Sequence, residues 1–144
     1  MNPYKILSIK EINSLLKFTA YMSILAAFHE LTLDENEKKS AIAYLHSQTT
    51  ECDPILIEFF KEADKVFENN LLQLEKDLPK GKKKREPVIL KELHILQKIV
   101  LKLGNDYASA MNRSMNALKD HVSQAHYNVL TDFVVPLNVL GLKD

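Results

Sequence analysis

Phe18-Thr19-Ala20-Tyr21-Met22-Ser23-Ile24-Leu25-Ala26-Ala27-Phe28 is the stretch that decides the fold. It carries no charge, and Thr19 and Ser23 are its only polar aliphatic side chains. A helix without a wet side has to be enclosed by protein or by lipid. A bilayer span takes about 18 to 20 consecutive apolar residues, and this stretch has 11. Lipid is thereby set aside, and the segment is expected at the centre of a helical bundle. Glu11 and Lys17 precede it, which also separates it from a secretory leader.

Working outward, the pattern turns amphipathic on both sides. Upstream, Ile9, Ile12, Leu15 and Leu16 oppose Lys10, Glu11, Asn13 and Lys17, and Ser8-Ile9-Lys10-Glu11 has the form of a capping box. One helix is therefore expected from Ser8 to Phe28. Downstream, Thr32/Glu35 and Asp34/Glu37 both have capping-box spacing, so a second helix restarts there and buries Ala41, Ile42 and Leu45. Asp53 as N-cap with Pro54 at the first helical position opens a third. Its Leu56, Phe59, Phe60, Ala63, Phe67, Leu71, Leu74 and Leu78 recur at three- and four-residue steps until Pro79 and Gly81. Ile89, Leu93, Leu96, Val100 and Leu103 mark a fourth helix. A fifth is expected from Asp106 to near His121, and a sixth from a Ser123 cap to Pro136. The expectation is an all-α single domain over residues 1–144, a compact bundle of about six helices around a buried first one. Residues 79–87 form a charged connector between its two halves.

Composition narrows the function classes. Nineteen basic residues balance nineteen acidic ones, so no global field points to nucleic acid or to an anionic membrane as the main partner. A single cysteine, Cys52, excludes an internal disulfide and any multi-cysteine metal site within the chain. Three glycines leave no material for a phosphate-binding loop. A cytoplasmic protein without a membrane span is expected.

Chemistry-bearing side chains are few. Glu30, Asp34 and Glu37, with His29 beside them, surround one helix-to-helix corner, and carboxylates are the ligands a hard divalent cation takes. The alternative is that Asp34 and Glu37 are helix caps and Glu30 is solvated. None of the five histidines has the helical spacing of a di-iron site. His121 and His126 diverge unless the chain bends between them, which a cap at Ser123 suggests. Cys52 precedes a helix start, where a dipole favours thiolate, but no base or oxyanion hole accompanies it in the sequence. The run Lys80 to Arg85 reads either as a solvated connector or as an electrostatic docking segment, and no aromatic residue is interleaved for base stacking.

The corner Ala26-Ala27-Phe28-His29-Glu30-Leu31-Thr32-Leu33-Asp34-Glu35-Asn36-Glu37 resembles the TerB-like tellurite-resistance family. That family's signature is a helix ending in an acidic residue and Gly, then x-Ile, a Ser or Asp cap, two variable residues and Glu. Glu30 stands for the first acid, Leu33 for the Ile, Asp34 for the cap and Glu37 for the last Glu, while Leu31 replaces the glycine. Val122-Ser123-Gln124-Ala125-His126 resembles a second such corner, with His126 in place of Glu. The resemblance implies a bacterial, cytoplasmic helical module tied to stress or tellurite resistance, with no established reaction. It also implies a possible divalent-cation site at Glu30, Asp34 and Glu37, with His126 as a fourth ligand.

The function expected is therefore a non-enzymatic helical module acting through a protein partner, with a divalent cation as an optional component. A metal-dependent helical-bundle enzyme or sensor, using His29, His121 or His126 with those carboxylates, is the alternative.

Overall fold

The computed structural model describes residues 3–133, with side chains over 4–125. After a 3-10 turn at Pro3–Ile6, six α-helices follow: α1 (Ile9–Leu16), α2 (Phe18–Leu25), α3 (Glu35–Glu51), α4 (Ile57–Asp77), α5 (Lys82–Leu101) and α6 (Asn105–Phe133). No strand occurs among the described residues, where the only β-type pairing is an isolated bridge between His29 and Thr32. No described helix is long and apolar enough to cross a membrane.

The all-apolar stretch takes the central place its sequence demands. Every residue from Phe18 to Ile24 is buried, and α2 packs against α4, α5 and α6. Each large aliphatic or aromatic side chain enclosed this way contributes about 1.5–3 kcal/mol. Ser23 is accommodated because its hydroxyl donates to the Thr19 carbonyl at 2.8 Å. Helix α6 lies along α2 and α3, and α4 closes the other side of both.

Three boundaries differ from the sequence expectation. The helix expected from Ser8 to Phe28 is two helices joined at Lys17, whose N–H closes a tighter turn on the Ser14 carbonyl at 3.0 Å. The offset lets α1 keep one face wet while α2 runs into the interior. The connector is also shorter than expected, because Lys82, Lys83, Lys84 and Arg85 form the first turn of α5. Cations at a helix N-terminus oppose the macrodipole, so local preference does not explain this start. What explains it is Gly81, which at φ +90° turns the chain, and the burial of Arg85.

Finally, no break separates a fifth from a sixth helix. Residues 105–135 contain neither glycine nor proline, and Val122 is fully buried. Ser123 is no cap; its hydroxyl donates across to the Ala26 carbonyl at 3.4 Å. The segment 122–126 is thus helix interior and not a second corner. Pro136, the expected end of the sixth helix, lies outside the described residues.

The remaining start signals operate as read. Ser8 Oγ accepts from the Glu11 N–H (3.1 Å) while Glu11 Oε1 accepts from the Ser8 N–H (3.0 Å). Asp53 accepts from the Ile55 N–H at 3.1 Å, with Pro54–Leu56 as a 3-10 lead into α4.

Candidate functional site

Between α2 and α3 the chain reverses within a few residues. The Thr32 N–H donates to the His29 carbonyl at 2.8 Å around Glu30 and Leu31, whose φ values are +50° and +54°. Two consecutive left-handed residues are the mark of a type I′ turn, which normally takes Asn or Gly. Leu31, where the TerB-like signature has glycine, therefore sits in the backbone state glycine favours. Its side chain is buried, as is that of Leu33.

The carboxylate of Glu37 closes this corner from inside. The residue is 1% exposed. One oxygen accepts from the Asp34 N–H at 2.9 Å and the other from the Phe28 N–H at 3.0 Å. Asp34 returns the capping contact by accepting from the Glu37 N–H at 2.7 Å. Of the two possible boxes, Asp34/Glu37 is used, and Thr32 belongs to the turn. A second buried charge holds the corner from across the molecule. Arg85, 2% exposed, donates to the carbonyls of Leu31 (2.7 Å), Pro79 (2.8 Å) and Glu75 (3.0 Å). Glu75 needs that donor, because its ordinary helical partner would be the N–H of residue 79, a proline.

The sequence-derived ligand set is thus only partly gathered. Asp34 and Glu37 are adjacent but face backbone amides, while Glu30 is exposed at the turn. Among the described residues, no group of three His, Cys, Asp or Glu side chains is placed to hold a metal ion. His29 lies edge-on to the Phe28 ring, and His121 lies against Tyr44. The side chain of His126 is outside the described residues. Positions 121 and 126 share one unbroken helix, which separates them by about 140°. The bend that would have brought them together does not occur. Cys52 is the C-cap of α3, followed by a three-residue 3-10 turn, and burial pushes its thiol up, away from the thiolate that a helix start would favour.

A different surface stands out on α5. Lys84, Val88, Lys91, Ile95, Lys98 and Lys102 follow one another at helical spacing, and all are exposed. Leu90 and Leu101 are exposed as well, about 100° or more round the helix from that row. Both acidic residues of α5, Glu86 and Glu92, are instead half-buried on its flanks. Between this face and α1 runs a groove of about 370 Å³, lined by Lys10, Glu11 and Ser14 on one side and by Ile95, Ile99 and Lys102 on the other. Glu11 is paired with Lys102. That bond first, and then the Ser8 N–H, hold its carboxyl below the usual range.

The chain's neutrality therefore conceals a division of charge. Helix α5 carries six basic and two acidic residues, whereas α4 carries three basic and six acidic ones. Summed composition could not reveal this, but the four- and three-residue spacing of Lys84 through Lys102 could have done so. Comparison with protein-family models, with curated proteins and with solved structures finds no match for the chain.

Proposed function

We propose that this chain is a non-enzymatic, TerB-like helical module that acts by binding a protein partner. One observation carries the reading. Of the nine large hydrophobic side chains exposed among the described residues, four (Val88, Leu90, Ile95 and Leu101) belong to α5, where Val88 and Ile95 share one row with lysines. Scattered exposed aliphatics are ordinary, but a cluster rimmed by polar residues is a mark of an interaction surface. The TerB-like part is supported by the corner, where the left-handed residue 31 and the Asp34/Glu37 box fall at the signature's positions. The cation expected with it draws no support from Glu37, whose two oxygens are both occupied by backbone N–H groups.

Site-specific photo-cross-linking in the cells that make the protein tests the reading. A benzophenone amino acid is placed in turn at Ile95, Leu72 and Phe28, all exposed. A protein adduct of defined mass, formed from one position and absent from the others, is expected. Absence of an adduct at every position would remove the reading.

A further inference from the structure

We infer that the groove between α1 and α5 docks an acidic amphipathic helix of the partner protein. This rests on the interaction-module reading and adds to it the surface and the partner's chemistry. The α5 rim of the groove is free of acid: Val88 and Ile95, 39% and 41% exposed, stand in one helical row with Lys84, Lys91, Lys98 and Lys102. Across the groove, α1 contributes Lys10, Glu11 and Ser14. The one carboxylate in the groove, Glu11, is already bound to Lys102 and to the Ser8 N–H, so it leaves the field positive.

Shape and charge together select the occupant. An amphipathic helix enters a groove with aliphatic residues at i, i+3, i+4 and i+7, and Ile95 and Ile99 supply the complementary apolar wall. Glu or Asp on its flanks meets Lys10 on one side and Lys91 and Lys98 on the other. Complementary charge of this kind steers encounter and fixes register. A lipid surface is flat and would touch only the crest of α5, leaving the recessed Ser14 and Ile99 unmatched. A single-stranded nucleic acid would want several stacking platforms, and α5 has no Phe, Tyr or Trp and a single imidazole, His94.

The test uses the full chain and a labelled peptide of about six helical turns, with Leu at the four anchor positions, Glu on the flanks and Ala elsewhere. Fluorescence anisotropy should show saturable binding that weakens at least about tenfold with Ile95→Asp and, separately, with Lys98→Glu. Raising salt from about 50 to 300 mM should weaken it further, and a peptide with Lys replacing Glu should not bind. Circular dichroism of both variants, each altered at an exposed position, checks that they remain folded. No saturation by about 1 mM peptide, or binding unchanged by both substitutions, overturns the inference. So does capture of the chain by phosphatidylserine vesicles when the peptide fails to bind. A partner cross-linked from Leu72 or Phe28 but not from Ile95 would overturn the groove alone, whereas no adduct anywhere would take the module reading with it.

Discussion

Replacing Glu37 with Gln changes one oxygen into an amide nitrogen and leaves the shape of the side chain intact. The native carboxylate accepts two backbone N–H groups, from Phe28 and Asp34, at 3.0 and 2.9 Å in a site that is 1% exposed. Gln can accept only one of them; its NH₂ must point at the other, donor against donor. A buried amide left without an acceptor costs about 1–3 kcal/mol, and the surviving bond loses its charge assistance, worth about 1 kcal/mol more. Relief from burying a full charge returns part of this. The expected net loss is about 2–3 kcal/mol, or about 5–10 °C in Tm for a chain of this size. Urea denaturation followed by helical ellipticity measures it, with an unchanged slope showing that the unfolded state is not the cause. A loss below about 0.5 kcal/mol would refute the corner as described. Equally, a loss that appears only when a divalent cation is added would mean that Glu37 is a ligand and not a backbone clamp.

Further outcomes follow from the same contacts. Arg85→Met keeps bulk but strips donors from the carbonyls of Leu31, Glu75 and Pro79; a loss of about 2–4 kcal/mol in the same denaturation assay is expected, and a near-neutral result would contradict the buried contacts. Glu30→Gly removes an exposed side chain from a left-handed position and should raise stability by about 0.5–1 kcal/mol; a clear fall would mean that the Glu30 side chain has another task. Burial pushes Tyr21 and Tyr107 up to about 12, and it also raises Tyr4. Unfolded tyrosines release their protons first, near pH 10, so this contribution to stability is complete below pH 10 and is lost as pH rises toward 12. Tyrosinate absorbance and helical ellipticity should change together in that interval, and ordinary titration of every tyrosine in a still-folded chain would refute the burial.

How much the sequence disclosed depended on the reach of each interaction. The uniform apolarity of Phe18 to Ala27 can be satisfied in only one way once lipid is set aside, so the central helix was legible. The boxes at Ser8/Glu11 and Asp34/Glu37, and the Asp53-Pro54 start, involve neighbours three residues apart or fewer, and they were legible too. Arg85 was not. Read beside Lys82, Lys83 and Lys84 it is one more solvated cation, and its bond to Leu31 spans 54 positions. Ser123 misled for the opposite reason: a residue that favours caps in isolation found a partner in Ala26, far away in the chain. The cation site suggested by Glu30, Asp34 and Glu37 depended on which way carboxylates point, and spacing alone does not fix that.

The bond from Arg85 to Leu31 also sets an order of events during synthesis. The reversal at Glu30–Leu31 holds two side-chain-bearing residues in a backbone state that costs each of them energy, and the guanidinium that secures it is translated much later. A nascent chain that has emerged only through α3 has its cap but lacks the clasp. The clasp arrives with the beginning of α5, and the central helix has its full cover only once α6 has followed.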